Sequence, residues 1–314
     1  MILVTGGAGF IGSHTTRALA ESGQECVLVQ RRSPEVPAHL AGLPVHAVRA
    51  DLADLDALLA VGKQYPITGI VHLAVTLPGP DTGTDPIDAS ARTLEQFLNV
   101  VRAGRAWGVR RIVTASTIGV YGFDNTGALT ESMPLSLDHT HAIPTFKKIF
   151  ELLAGHLSAE TSVEIVNARI AGIWGPGGHL PDPFFVTSTL VHAAARHREP
   201  DLSGFRTPPS AEDALDLLYA RDAGRALALL QLADGLQHST YNVASGRATS
   251  NAEVIAAIRA VEPGFRFALP AAGERPRTWL DIGRLRADTG FEPRYDIAAG
   301  VADYIAWFRA GNER

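Results

Sequence analysis

The residues best placed to do chemistry in this chain begin with glycines. The run Ile2-Leu-Val-Thr-Gly-Gly-Ala-Gly-Phe-Ile-Gly-Ser13 opens apolar, sets Gly6, Gly9 and Gly12 at even spacing, and passes into an amphipathic pattern from Phe10 to Glu21. Strand, tight turn and helix N-terminus in that order present backbone N–H groups and the positive end of a helix dipole to an anion, above all to two linked phosphates. The spacing is G-x-x-G-x-x-G rather than G-x-G-x-x-G. The physical demand is the same: a backbone that turns without a Cβ and lets phosphate oxygens come close. An ordinary tight turn between strand and helix also uses glycine, so the rest of the chain must decide between the two.

A phosphate cradle of this kind needs a sheet to position it. Short apolar segments at 25–30, 45–49, 69–73, 111–116 and 163–168 read as strands, with helical periodicity at 55–61, 87–107 and 144–158 between them. The alternation predicts βαβ units and so an α/β fold: a doubly wound parallel sheet, order 3-2-1-4-5-6 plus an extra strand, covered on both faces. Cys26, the lone cysteine, falls in one of these strands and reads as a buried, inert thiol. After residue 169 the texture becomes turn-rich, with Gly175-Pro-Gly-Gly178 and Leu180-Pro-Asp-Pro183. A helix at Glu212–Leu232, a strand at Tyr241–Val243, a helix at Asn251–Val261 capped by Ser250 or Asn251, and an amphipathic helix at Ile297–Arg309 complete the pattern. Residues 1–170, rejoined by 211–244, form the expected dinucleotide-binding domain. Residues 171–210 and 245–314 form a smaller discontinuous lobe, with the ligand site in the cleft between.

The composition fits this reading. Of 314 residues, 46% are apolar and 19% charged, ordinary for a globular protein able to bury a large core. The net charge of −5 gives no basic footprint for nucleic acid or an acidic membrane surface. The first strand starts at Ile2, which leaves no room for a signal peptide, and no stretch is apolar enough to span a bilayer, so the cytoplasm is the expected compartment.

With these residues laid out, the chain resembles the extended short-chain dehydrogenase/reductase family, the NAD-dependent epimerase/dehydratase group. The resemblance rests on Thr5-Gly-Gly-Ala-Gly-Phe-Ile-Gly-Ser-His14, Ala50-Asp-Leu52, Val71-His-Leu-Ala74, Ala115-Ser-Thr-Ile-Gly-Val-Tyr-Gly122, Tyr241-Asn-Val-Ala-Ser-Gly246 and the tail 281–294, in the family's order. It implies a nicotinamide coenzyme whose pyrophosphate lies on Gly6, Gly9 and Gly12, with Phe10 and Ile11 donating N–H groups. Asp51 and Leu52 would meet the adenine, although Asp51 also suits a helix cap. Leu73 and Ala74 would line the coenzyme trough, while His72 reads as a packed residue. Members preferring NAD carry an acid at the end of the second strand for the ribose hydroxyls. Here Gln30 stands there, followed by Arg31 and Arg32. Paired guanidiniums suit a 2′-phosphate, so NADP is the expected coenzyme and NAD the second choice. The family also pairs as a homodimer through the helices at 87–107 and 144–158.

The resemblance implies a catalytic set of hydroxyl residue, Tyr and Lys. Thr117 supplies the hydroxyl, and Lys147 with Glu151 fits K-x-x-x-E. Four positions before Lys147 stands Ile143, so the Tyr is absent. Three readings follow. The proton moves through another group, with His139, His141 and Tyr121 as candidates. Or the reaction is an elimination or proton shift that needs no phenol. Or the chain binds NADP without turnover, as a sensor or scaffold. A zinc site at His139 and His141 lacks a third ligand. Gly172 and Thr93 stand where the family carries asparagines, which weakens the case for a nucleotide sugar as the small-molecule substrate. Arg206 and Arg275 could still meet a phosphate, and Trp174 with Phe184 and Phe185 suits packing of the small lobe.

Overall fold

Apolar segments and helical periodicities resolve into a seven-stranded sheet in the computed structural model of the chain, which describes all residues except 77–83, 123, 139–140, 179, 181, 183, 206 and 313–314. In chain order the first half comprises β1 (Ile2–Thr5), α1 (Phe10–Glu21), β2 (Cys26–Gln30), β3 (Val45–Arg49), α2 (Leu55–Gln64), β4 (Gly69–His72), α3 (Pro86–Trp107), β5 (Arg111–Thr117), β6 (Gly127–Leu129), α4 (Ala142–Glu160) and β7 (Glu164–Ile170). The second half adds β8 (Gly172–Trp174), α5 (Val186–Ala195), β9 (Ala214–Tyr219), α6 (Ala220–Leu232), β10 (Thr240–Val243), β11 (Ala248–Ser250), α7 (Asn251–Val261), β12 (Thr278–Leu280), α8 (Gly283–Thr289) and α9 (Ile297–Arg309).

The main sheet runs β10-β7-β5-β4-β1-β2-β3, every pairing parallel. This is the doubly wound order expected, with β10 as the extra strand. Both faces are buried because crossover helices cover both, so the inner strands are apolar throughout rather than alternating. One face packs Leu28, Val113 and Val166 under α1 and α6; the other packs Leu3, Ile70 and Ile112 under α2, α3 and α4. Cys26 lies fully buried in β2, where burial pushes its thiol up to about 12 and keeps it unreactive. No helix of the described residues is long and apolar enough to cross a membrane.

The segment from Glu212 departs from the sequence reading. It is not one helix: Ala214–Tyr219 is β9, and the helix starts at Ala220. Ala-Leu-Asp-Leu-Leu-Tyr suits a helix locally, but a slot between β8 and β11 overrides that propensity. The boundary at 211 moves with it. β9 belongs to the small three-stranded sheet, and the chain rejoins the dinucleotide-binding domain only at α6. A separate core of Trp174, Leu190, Ile258 and Tyr304 holds the small lobe.

One buried carboxylate clasps β9 to its neighbours. Asp216 in β9 accepts from the N–H groups of Ser245 (2.8 Å), Gly246 (3.2 Å) and Leu280 (3.1 Å), and from the Ser245 hydroxyl (2.6 Å). It thus fixes the corner between β10 and β11 and the end of β12. Ser250 caps α7 through a reciprocal box with Glu253, as its sequence suggests.

Candidate active site

The glycine turn sits at the C-terminal edge of β1, at the point where the strand order reverses, which is where open α/β sheets take ligands. Gly6 has φ +69°, a left-handed conformation that a side chain resists. A Cβ on Gly12 would lie 2.0 Å from the Gly6 carbonyl oxygen, so the turn closes on itself only without one. No side chain caps α1, and its first turn carries no acid. The leading N–H donors, those of Phe10 and Ile11 among them, therefore remain for an incoming anion. The residues present fit the pyrophosphate of a dinucleotide.

Thr5 locks this turn to the next strand. Its Oγ1 accepts from the N–H groups of Leu73 and Ala74, both at 3.2 Å, and lies 2.7 Å from His72 Nδ1. Having accepted twice, the hydroxyl gives its own proton to that imidazole. His72 is therefore neutral and packed; burial, with the Lys147 charge behind it, pulls it down to about 3. A Cβ at Gly6 would come within 2.9 Å of the Ala74 nitrogen, which shows how closely the Leu73–Ala74 edge adjoins the turn.

At the far end of the trough, Arg31 and Arg32 are exposed just beyond β2. Asp51 is not the cap of α2. Its Oδ1 accepts from Ala53 N–H at 3.0 Å, its Oδ2 meets Arg92 at 2.5 Å, and Asp54 rather than Asp51 caps α2. Leu52 is buried, and its carbonyl accepts from Asn99 Nδ2 at 3.0 Å.

Thr117 ends β5, and its Oγ1 accepts from Gly119 N–H at 3.2 Å. A Cβ at Gly119 would touch Pro144 at 3.4 Å, so this turn abuts the first turn of α4. Ile143 and Lys147 share one face of α4. Lys147 is 6% exposed; its Nζ lies 5.6 Å from the Phe150 ring centroid and, among the described residues, meets no acceptor. Desolvation pulls this ammonium down to about 8. Glu151 is not its partner, since that carboxylate accepts from Ser116 Oγ and pairs with Arg169 at 2.7 Å, both buried. Lys148 turns elsewhere and donates to Ser136 O at 2.6 Å.

The other proton-carrier candidates fare differently. Tyr121 is buried, donates to Asn242 Oδ1 at 2.7 Å and carries the Arg169 guanidinium over its ring, so it is a core residue, held there by desolvation that raises its pKa. His141 is exposed and caps α4, its Nδ1 accepting from Ile143 N–H at 3.3 Å. In that state the neutral ring holds its proton on Nε2 and has a donor, not a base, to offer. His139 and Arg206 lie outside the described residues. Arg275 pairs with Asp213 at 3.6 Å, half exposed. Gly172 packs against the Phe185 ring and the Asp216 carbonyl, so a side chain there would need the Phe185 ring to shift. Trp174 is buried against Tyr219, a packing role. The Thr93 hydroxyl lies between the Ala89 and Thr76 carbonyls, which share its one proton. Sequence reasoning missed Thr5, Arg92 and Asp216, because each acts through a partner distant in the chain.

The sequence model described as the NAD dependent epimerase/dehydratase family matches residues 2–244. UDP-glucose 4-epimerase of Azospirillum brasilense is 26% identical over 327 aligned positions, covering 98% of this chain and 92% of its own. Among solved structures, MoeE5 in complex with UDP-glucuronic acid and NAD is 26% identical, with a TM-score of 0.76 and 99% of both chains covered. UDP-glucose 4-epimerase of Thermus thermophilus in complex with NAD has a TM-score of 0.80 at 24% identity, with the same coverage.

Proposed function

The chain belongs to the NAD-dependent epimerase/dehydratase family, and on that premise we propose that it is an NADP-dependent enzyme acting on a hydroxyl- or keto-bearing metabolite through an atypical site. Thr117 orients the substrate oxygen, and Lys147 moves the proton that the family's tyrosine moves elsewhere. The observation that carries this reading is the Lys147 ammonium, buried, without an acceptor and depressed to about 8, one turn after Ile143. A lysine so placed has a reactive neutral fraction near neutral pH. His141 offers Nε2–H as a donor to the substrate from the first turn of α4. Bound on the Gly6–Gly12 turn, a nicotinamide coenzyme would take hydride from a carbinol carbon or give it to a carbonyl carbon.

The coenzyme preference rests on Arg31 and Arg32, exposed where an acid would repel a 2′-phosphate. We expect Arg31→Ala with Arg32→Ala to weaken NADP by roughly 10–100-fold and NAD by less than threefold, on the strength of charge-assisted hydrogen bonds. Calorimetry with both coenzymes reads this directly, and equal losses would remove the preference.

Relatives named for UDP-sugars make nucleotide sugars the first compounds to assay. Gly172, standing where the family carries an asparagine for the diphosphate, supports a substrate that lacks it. The deciding experiment follows the reduced-nicotinamide absorbance with NADP and a panel of hydroxyl metabolites, with and without a nucleotide diphosphate. Oxidation of a member of that panel supports the enzyme. Tight coenzyme binding with an unchanging absorbance across it would instead favour the second reading, an NADP sensor, which Ile143 independently supports. Ile143→Tyr places a phenol one helical turn before Lys147 and is expected to raise turnover by at least about tenfold. An unchanged rate would show that the proton leaves by a route that never passes Ile143.

We further propose a homodimer through α3 and α4, supported by Ile87 at 78% and Leu152 at 65% exposure on those helices. Leu152→Glu should sediment as a monomer where the natural chain sediments as a dimer.

A further inference from the structure

A cavity of about 440 Å³ opens between α1, α6 and the segment before α9. Four arginines line it, Arg17, Arg221, Arg225 and Arg294, against the carboxylates of Glu21 and Asp222. In a chain of net charge −5, this hollow inverts the sign of its surroundings. Three of the four guanidiniums stand in ion pairs, so the cavity carries one positive charge in excess of the carboxylates that meet it. Asp222 Oδ2 accepts from the backbone N–H groups of Arg294 and Tyr295, both at 2.8 Å, and Oδ1 meets Arg225 at 3.0 Å. Glu21 stands 3.8 Å from Arg17, both side chains well exposed. Arg221 has its own partner outside the lining, Asp303 at 3.1 Å. The Arg294 guanidinium makes no hydrogen bond or ion pair among the described residues.

His14, which lines the same cavity, registers the positive field. Burial comes first in holding it below its ordinary value, a hydrogen bond to the Pro176 carbonyl opposes this, and the charges of Arg221 and Arg17 lower it further. The remaining wall is apolar, from Ala228 and Leu232 of α6, with Tyr295 beside it. A concave site of this size, with a few convergent charges on an apolar wall, is built like a small-molecule pocket. Planar guanidiniums match phosphate oxygens in pairs.

We propose that this cavity is a second ligand site, for a small phosphate-bearing anion, separate from the glycine-rich turn. The site stands apart from the coenzyme reading, and its test keeps the two distinct. Inorganic pyrophosphate is titrated calorimetrically into the full chain saturated with NADP, which closes the turn to the probe. A saturable heat is expected. Arg17→Ala with Arg294→Ala should weaken binding by about tenfold or more, while Arg31→Ala with Arg32→Ala leaves it unchanged. Arg294→Ala alone, at a side chain with no partner to lose, should keep the melting temperature and still weaken the probe by about threefold. Absence of saturable heat at millimolar pyrophosphate overturns the proposal. So does a loss confined to the Arg31 and Arg32 variant, which would assign the anion to the coenzyme trough; should NADP itself fail to bind, the same variants still locate the probe.

Discussion

Protein with alanine at position 12 is expected to lose coenzyme affinity by more than about 100-fold, or roughly 2.8 kcal/mol. The added Cβ would stand 2.0 Å from the Gly6 carbonyl oxygen, 2.7 Å from its carbon and 2.8 Å from Gly7 Cα. All three are backbone atoms, so no side chain can swing aside, and the turn must open. Opening it moves the Phe10 and Ile11 N–H groups away from the position a pyrophosphate needs. Gly155→Ala is the control. That glycine lies inside α4 with nothing within 4 Å of an added methyl, and alanine there should stabilise the helix by about 0.5–1 kcal/mol while leaving binding intact. Calorimetry on both variants, with circular dichroism for the fold, separates a broken cradle from a broken protein. Undiminished binding in Gly12→Ala would mean the coenzyme does not sit on this turn.

Lys147→Met should lower turnover by about 10²–10⁴, the range for loss of a general acid or base. In the natural protein the amine becomes available as pH rises through about 8, so the rate should climb across that limb, and the limb should vanish in the variant. Stability should rise with pH over the same limb. Desolvation penalises the protonated side chain in the folded state, so between about 8 and 10.5 the native form binds fewer protons than the unfolded one and gains stability as pH rises. Methionine, of similar length and uncharged, removes that penalty. The variant should melt higher than the natural chain at pH 7, with the gap closing toward pH 10.5. A variant that keeps both its rate and its pH limb would take Lys147 out of the chemistry.

Much of the scaffold was legible because the signals were local. The βαβ alternation from Ile2 to Ile170 gave the parallel sheet and its order, since each strand is a short apolar run and each helix carries its own period. Gly6 and Gly12 could be read because steric demand shows in residue type. What stayed hidden was set by distant partners. Ala214–Tyr219 has helical propensity, and only its neighbours β8 and β11 make it a strand. Asp51 read as a possible helix cap, but Asp54 takes that place and Arg92, remote in the chain, lies against Asp51. Tyr121 sits next to a functional motif in sequence, yet Asn242 and Arg169 draw it into the core. Ile143 could be read from its place four residues before Lys147, but the isolation of the Lys147 ammonium is a property of three-dimensional burial alone.

The Asp216 clasp bears on how the small lobe keeps its shape. One carboxylate holds two further stretches of chain, the 245–246 corner and the end of β12, against β9. Pulling either away would strip a buried carboxylate of its donors, at a cost on the order of several kcal/mol. These strands should therefore part only together.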